Sequence, residues 1–291
     1  MVPVLILAYI HECFPQESKA RLVSLYVSGT TLGGILGRFL ASYLTDVFSW
    51  QVASMLLGAL FLMMSLCVQF CMPKEPFLPQ KTTCVPVNTE PLWSAKYRNI
   101  AYLSTIAFCS LGSYAAICNY ISYVLLAPPY NFSHTMIGML FFVQLFGTVG
   151  SLLAGRLNSQ MPPHKIICFS ILLMLAGILF TLSGYAAFKT FGIAMLTFGL
   201  FATHTIASSW CGTLCPDKKE MAAGIYMFAY YCGGSILGTF AGVMFKHWHW
   251  YGVVNMSIVE AAIPLLALYQ IIQLEREAQA AYEQENLVKA H

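Results

Sequence analysis

The chain has 291 residues, 58% of them hydrophobic and 9% charged, with a formal net charge of +3. Soluble domains carry roughly 25% charged residues. This composition therefore cannot build a water-facing surface, and the chain reads as an all-α, polytopic membrane protein; the small net charge gives no electrostatic case for a nucleic-acid partner.

A helix needs about 20 apolar residues to cross the hydrocarbon core. Eight runs meet that length, at roughly 22–44, 51–72, 99–126, 136–156, 165–187, 191–212, 221–245 and 251–273. The opening, Val2 to Ile10, is apolar but too short to cross, and it lacks the basic n-region of a signal peptide. With the 11–21 loop placed on the cytoplasmic side, Lys19, Arg21, Lys74, Lys81, Lys96, Arg98, Arg156, Lys165, Lys218, Lys219, Arg276 and Lys289 all fall inside. Only Lys189 and Lys246 fall outside. That asymmetry sets the orientation by the positive-inside rule. Residues 73–98, with Pro73, Pro76, Pro79, Pro86 and Pro91, form a polar cytoplasmic linker. The charged tail 275–291 is cytoplasmic too.

The chain repeats itself after about two hundred residues. Pro15, Tyr26, Gly33-Gly34, Leu36-Gly37 and Trp50 answer to Pro216, Tyr226, Gly233-Gly234, Leu237-Gly238 and Trp250. Widely separated repeats in an apolar chain point to a transporter of two similar halves. Counted from the linker, helix 221–245 is the fifth of six, so helix 22–44 is expected to be the fifth of its own half. Residues 1–72 then read as part of a fourth helix plus the fifth and sixth. Residues 99–274 read as a complete six-helix bundle. The first three helices and most of the fourth are expected to be missing before Met1.

Four features carry a family resemblance. Gly29, Gly33, Gly34 and Gly37 resemble a glycine-rich antiporter motif, without its usual proline. Gly150, Gly155 and Arg156, with the turn to Lys165, resemble the second copy of a cytoplasmic loop motif. HTIASSWCG (His204 to Gly212) and AAGIYMFAYYCGGSILGT (Ala222 to Thr239) resemble the YnfM-like, acriflavine-sensitivity branch of bacterial inner-membrane transporters. With six plus six helices and both termini inside, the chain resembles an N-terminally truncated member of the major facilitator superfamily. That resemblance implies drug or metabolite export driven by a proton gradient, by alternating access, with a small-molecule substrate, protons and the bilayer as partners. It also implies an inner-membrane, multi-pass location and a missing N-terminal portion.

Candidate residues follow from what the bilayer penalises and what the resemblance places at the cavity. A charge in hydrocarbon costs at least about 2.5 kcal/mol, so Arg38 and Glu260 each need a reason. Arg38, about 24 Å along its helix from Leu22, either holds a substrate anion or snorkels outward and locks a gate. Glu260, near mid-membrane, either carries a proton or is neutral or paired. His204 is a candidate proton carrier because imidazole titrates near neutral pH; the bland alternative is a structural histidine bonded to a neighbouring helix. Trp210 adds an aromatic group to the His204 helix. The resemblance implies that Tyr114, Asn119 and Tyr120 line the cavity, joined by Gln144, Tyr226 and Tyr230. Each tyrosine could equally be lipid-facing packing. Gly29, Gly33 and Gly37, like Gly234, Gly238 and Gly242, recur every four residues and give helix faces without side chains, suited to close packing and to gating.

The ten cysteines are scattered and lack metal-site spacing, so no metal or cofactor is expected. No Ser/His/Asp set or GxxxxGK[ST] loop is present, which argues against an enzyme or a nucleotide-driven pump. The competing reading is a non-transporting remnant or membrane scaffold.

Overall fold

The computed structural model describes residues 16–71, 95–214 and 219–290. The opening run 2–10, Pro15, Pro216 and the linker up to residue 94 lie outside the described residues. Within them the backbone is helical, with no strand: α1 (Gln16–Val47), α2 (Trp50–Cys71), α3 (Ala95–Leu126), α4 (His134–Leu140), a 3-10 turn (Phe141–Val143), α5 (Gln144–Leu157), α6 (Pro163–Phe180), α7 (Ala186–Leu214) and α8 (Lys219–Ala290).

Local chemistry sets the boundaries. Pro128 and Pro129 follow the end of α3 one residue on, and neither can continue the ladder of N–H donors. Ser133 caps α4, its hydroxyl accepting from the Met136 N–H at 3.2 Å. Pro163 opens α6 at a position where the missing N–H has no intrahelical partner to lose. A straight α8 of 72 residues would run about 108 Å, far beyond a bilayer core of about 30 Å. It breaks at His249, whose φ of 51° and ψ of −145° are not helical, and the chain doubles back. Tyr226 of the first arm and Ile271 of the second, nearly equidistant from the break, lie in one core.

Among the described residues six stretches are long and apolar enough to cross a membrane: Trp50–Phe70, Tyr97–Leu126, His134–Leu157, Pro163–Phe180, Ala186–Leu214 and Met221–Glu277. The last contains both arms of α8, which match the separate runs expected at 221–245 and 251–273. The run expected at 22–44, inside α1, falls partly on residues outside those to which this count applies. Large apolar side chains such as Phe61, Met55 and Phe70 stand exposed on α2, as they do where lipid is the solvent.

The described residues fall into two compact units. One holds α1, α2 and residues 132–142; the other holds α3 and everything from Val143 onward. The chain therefore changes unit within the 3-10 turn between α4 and α5. In the first unit, Gly138 sits against α1, where an added Cβ would lie 2.7 Å from the Ser42 Cβ, and the Phe39 and Phe142 rings meet edge-on at 5.7 Å. The core of the second unit gathers Ile100, Leu103 and Ile106 of α3, Ile167 and Ile171 of α6, Ile206 and Trp210 of α7, and Tyr226, Leu268 and Ile271 of α8. The crossing of α6 and α7 is backbone on backbone. A Cβ on Gly177 would lie 2.5 Å from the Gly192 carbonyl, and one on Gly192 equally close to the Gly177 carbonyl, the close approach that small residues permit in lipid.

Candidate functional site

A polar and aromatic cluster joins four helices of the second unit. His204 of α7 is half-buried, with Nδ1 3.2 Å from the Tyr226 hydroxyl of α8. Its ring stacks on Tyr230 with centroids 4.3 Å apart, and Tyr231 meets Tyr230 edge-on at 5.4 Å. The next residue on α7, Thr205, shares a 2.7 Å hydrogen bond with Ser151 of α5. Further along α5, the Gln144 amide donates to the Tyr114 hydroxyl of α3 at 3.0 Å. Trp210 lies buried in the core that contains Tyr226 and that Tyr230 packs against.

These groups share one chemistry. They offer flat π faces, hydroxyls, an amide and one imidazole, and the cluster contains no carboxylate, lysine or arginine. Tyr226 and Tyr230 are four residues apart, so both fall on one face of α8 and both address His204. Such a surface suits an amphipathic ring system, which gains apolar contact and a few hydrogen bonds without meeting a fixed charge.

The other sequence candidates lie elsewhere. Asn119 is exposed on α3. Tyr120 packs on Phe245, with ring centroids 5.4 Å apart, and its hydroxyl closes on Gly242. Glu260 is buried, and neither of its oxygens has a hydrogen-bond partner among the described residues. Arg38 belongs to the first unit, its guanidinium 4.7 Å above the Phe141 ring. Gly155 and Arg156 are exposed at the end of α5.

The two glycine strips differ. Added Cβ atoms on Gly234 and Gly238 would lie 2.9 Å from Leu111 and 3.0 Å from Ala115, so this strip seats α3. Gly29, Gly33, Gly34 and Gly37 of α1 have no described atom within 4 Å of that position.

Two constellations escaped sequence reading. Asp46, just past the apolar run of α1, accepts from the His134 and Thr135 N–H groups at 2.9 and 2.5 Å. It thereby fills the N-terminus of α4, where a helix has unpaired donors and a positive dipole end. Desolvation alone would raise its carboxyl, but the hydrogen bonds from Thr135, His134 and Ser133 outweigh it and hold the group below its ordinary 3.8. The second is a clamp on the 181–184 turn. The Thr181 carbonyl accepts from Lys189 Nζ at 2.6 Å and from Trp250 Nε1 at 3.1 Å. The Tyr130 hydroxyl donates to the Gly184 carbonyl at 2.7 Å. Lys189 is 3% exposed, flanked by the Tyr130 and Trp250 rings at 5.7 and 5.6 Å. Only Trp250 carried a sequence signal, as a repeat marker.

The sequence profile described as Major Facilitator Superfamily matches residues 1–94 and 103–288. An uncharacterized MFS-type transporter, YybF of Bacillus subtilis (strain 168), is 34% identical over 256 residues, which are 88% of this chain and 63% of that protein. The inner membrane transport protein YnfM of Escherichia coli (strain K12) is 31% identical over 264 residues, 89% of this chain and 63% of that one. The chain thus spans less than two thirds of these relatives' length. A bacterial homolog to the human lysosomal transporter Spinster, solved in an inward-facing and unoccupied conformation, superposes with a TM-score of 0.61 at 15% identity. That match covers 92% of this chain and 74% of the homolog, a likeness of fold.

Proposed function

The chain belongs to the Major Facilitator Superfamily, and from that premise we propose that it works as a secondary transporter, exporting a small amphipathic molecule in exchange for protons. Residues 99–274 form the C-terminal half of the carrier, residues 1–72 contribute helices of the N-terminal half, and 73–98 link them. By the lysine and arginine asymmetry, the linker and the tail 275–291 face the cytoplasm. The likeness to YnfM, named an inner membrane transport protein, supports the same membrane and the same branch of the superfamily.

The observation that carries this reading is the His204 cluster. An imidazole between two tyrosines holds a substrate ring by stacking. Alternating access presents such a site to one face at a time as two bundles rock. The glycine strip of α1 provides a face on which helices slide during that motion.

Direct binding tests it. Acriflavine, an aromatic cation, should quench on titration with the purified chain in lipid nanodiscs. His204→Ala or Tyr230→Ala should weaken its apparent affinity roughly tenfold, the loss of about one stacked ring. Equal affinity in both variants would remove the cluster from the substrate site.

A further inference from the structure

We propose that Glu260 is the proton-binding site of the second unit, separate from the His204 cluster and joined to it through α3. This rests on the transport reading and names where its coupling proton resides.

Glu260 lies on the second arm of α8 and is 5% exposed. Both of its oxygens lack a hydrogen-bond partner among the described residues, as do the hydroxyls of Ser257, three residues before it on the same face, and of Ser110 on α3. Ser113 and Cys109 of α3 lie within electrostatic reach of the carboxyl. The Ser113 hydroxyl, however, donates to the Cys109 carbonyl at 2.8 Å.

A bare carboxylate surrounded by apolar side chains and hydroxyls has to be neutralised. The titratable groups on the packed elements do not do so. Cys109 of α3 carries a thiol, which cannot bear a positive charge. His164 and Lys165 stand at the start of α6. On α7, Lys189 is bonded to Thr181 and His204 to Tyr226. On α8 itself, the nearest ionisable groups are the phenols Tyr251 and Tyr269, nine residues to either side, followed by His249 and Glu275, eleven residues before and fifteen after. Among the described residues no group of three or more histidine, cysteine, aspartate or glutamate side chains gathers that could hold a metal ion. A proton satisfies the group alone.

The link to the substrate cluster is one residue long. Ser113 approaches Glu260, and its neighbour Tyr114 accepts from Gln144 at 3.0 Å. Movement of α3 that shifts Ser113 relative to Glu260 also shifts Tyr114 relative to Gln144.

Dicyclohexylcarbodiimide, which reacts with protonated carboxyls in apolar surroundings, reads the site without any transport measurement. In membranes carrying the full chain, mass spectrometry should find the adduct on Glu260 and not on the exposed Asp46. Labelling should fall at least roughly tenfold as the pH is raised across the carboxyl's titration, and sodium chloride should leave it unchanged. Saturating acriflavine should change the labelling rate at fixed pH, and Glu260→Gln should abolish the adduct. No adduct on Glu260 at any pH, labelling independent of pH, protection by sodium, or a rate indifferent to dye would each overturn the proposal. A transport failure with the labelling pattern intact would instead count against the transport reading alone.

Discussion

At the scale of single residues, the Thr181 carbonyl is the most informative atom. It accepts from both Lys189 and Trp250, so either donor alone keeps it satisfied. Lys189→Met and Trp250→Phe should each cost about 1 kcal/mol, and the double variant about 1 kcal/mol more than their sum, because it leaves a buried acceptor unpaired. Thermal unfolding of the four proteins of the cycle measures this. Asp46 makes a pH-dependent contribution whose sign follows from its lowered folded-state value. The stabilisation is present above the unfolded carboxylate range, near 3.9, and is lost as pH falls through the folded value. Asp46→Asn should therefore cost about 0.5 kcal/mol near neutrality, less at high salt because the group is exposed, and nothing at acid pH. Neither constellation was legible in the sequence. Asp46 meets residues 88 and 89 positions away, and the Lys189 clamp joins residues up to 69 apart, separations that no local pattern encodes.

At the scale of elements, periodicity made most of the helices visible, because the run of apolar residues that crosses lipid is itself the signal. The break in α8 was visible as well, in the tryptophan-bearing turn between two apolar runs. What periodicity could not supply was the partner of each face. The strips at 29–37 and 234–242 look alike in sequence, yet only the second is packed against a described helix. Gly233→Ala would drive a Cβ into the Phe108 carbonyl of α3 and should destabilise the bundle by about 1–3 kcal/mol, the usual cost of overpacking. Gly33→Ala should leave thermal stability within about 0.5 kcal/mol of wild type. A melting comparison in one detergent decides between these outcomes, and equal losses would mean that the two strips are packed alike. The Tyr120 ring shows the same limit from another side. Its place on α3 suited a cavity, but its contacts are Gly242 and Phe245, a packing role.

At the scale of the whole molecule, composition alone identified the solvent. A chain with 9% charged residues has to face lipid, and the helices that form bear large exposed apolar side chains. The site was legible in part. His204, Tyr226, Tyr230, Gln144 and Tyr114 were named from residue type and the family resemblance; the fold joins His204 to Tyr226 and Tyr230, and Gln144 to Tyr114, by short contacts, whereas Arg38 and Glu260 stand apart. Charges are conspicuous in an apolar sequence whatever their purpose, so rarity alone could not say which of them meets the cluster. The claim on which the rest depends is that this cluster moves an amphipathic solute at the expense of a proton gradient. In proteoliposomes carrying the full chain and an imposed pH gradient, acriflavine should be moved against its own gradient. A protonophore should stop that movement, and His204→Ala should slow it roughly tenfold or more. Dye movement that survives the protonophore, or proceeds at the wild-type rate without His204, would contradict it.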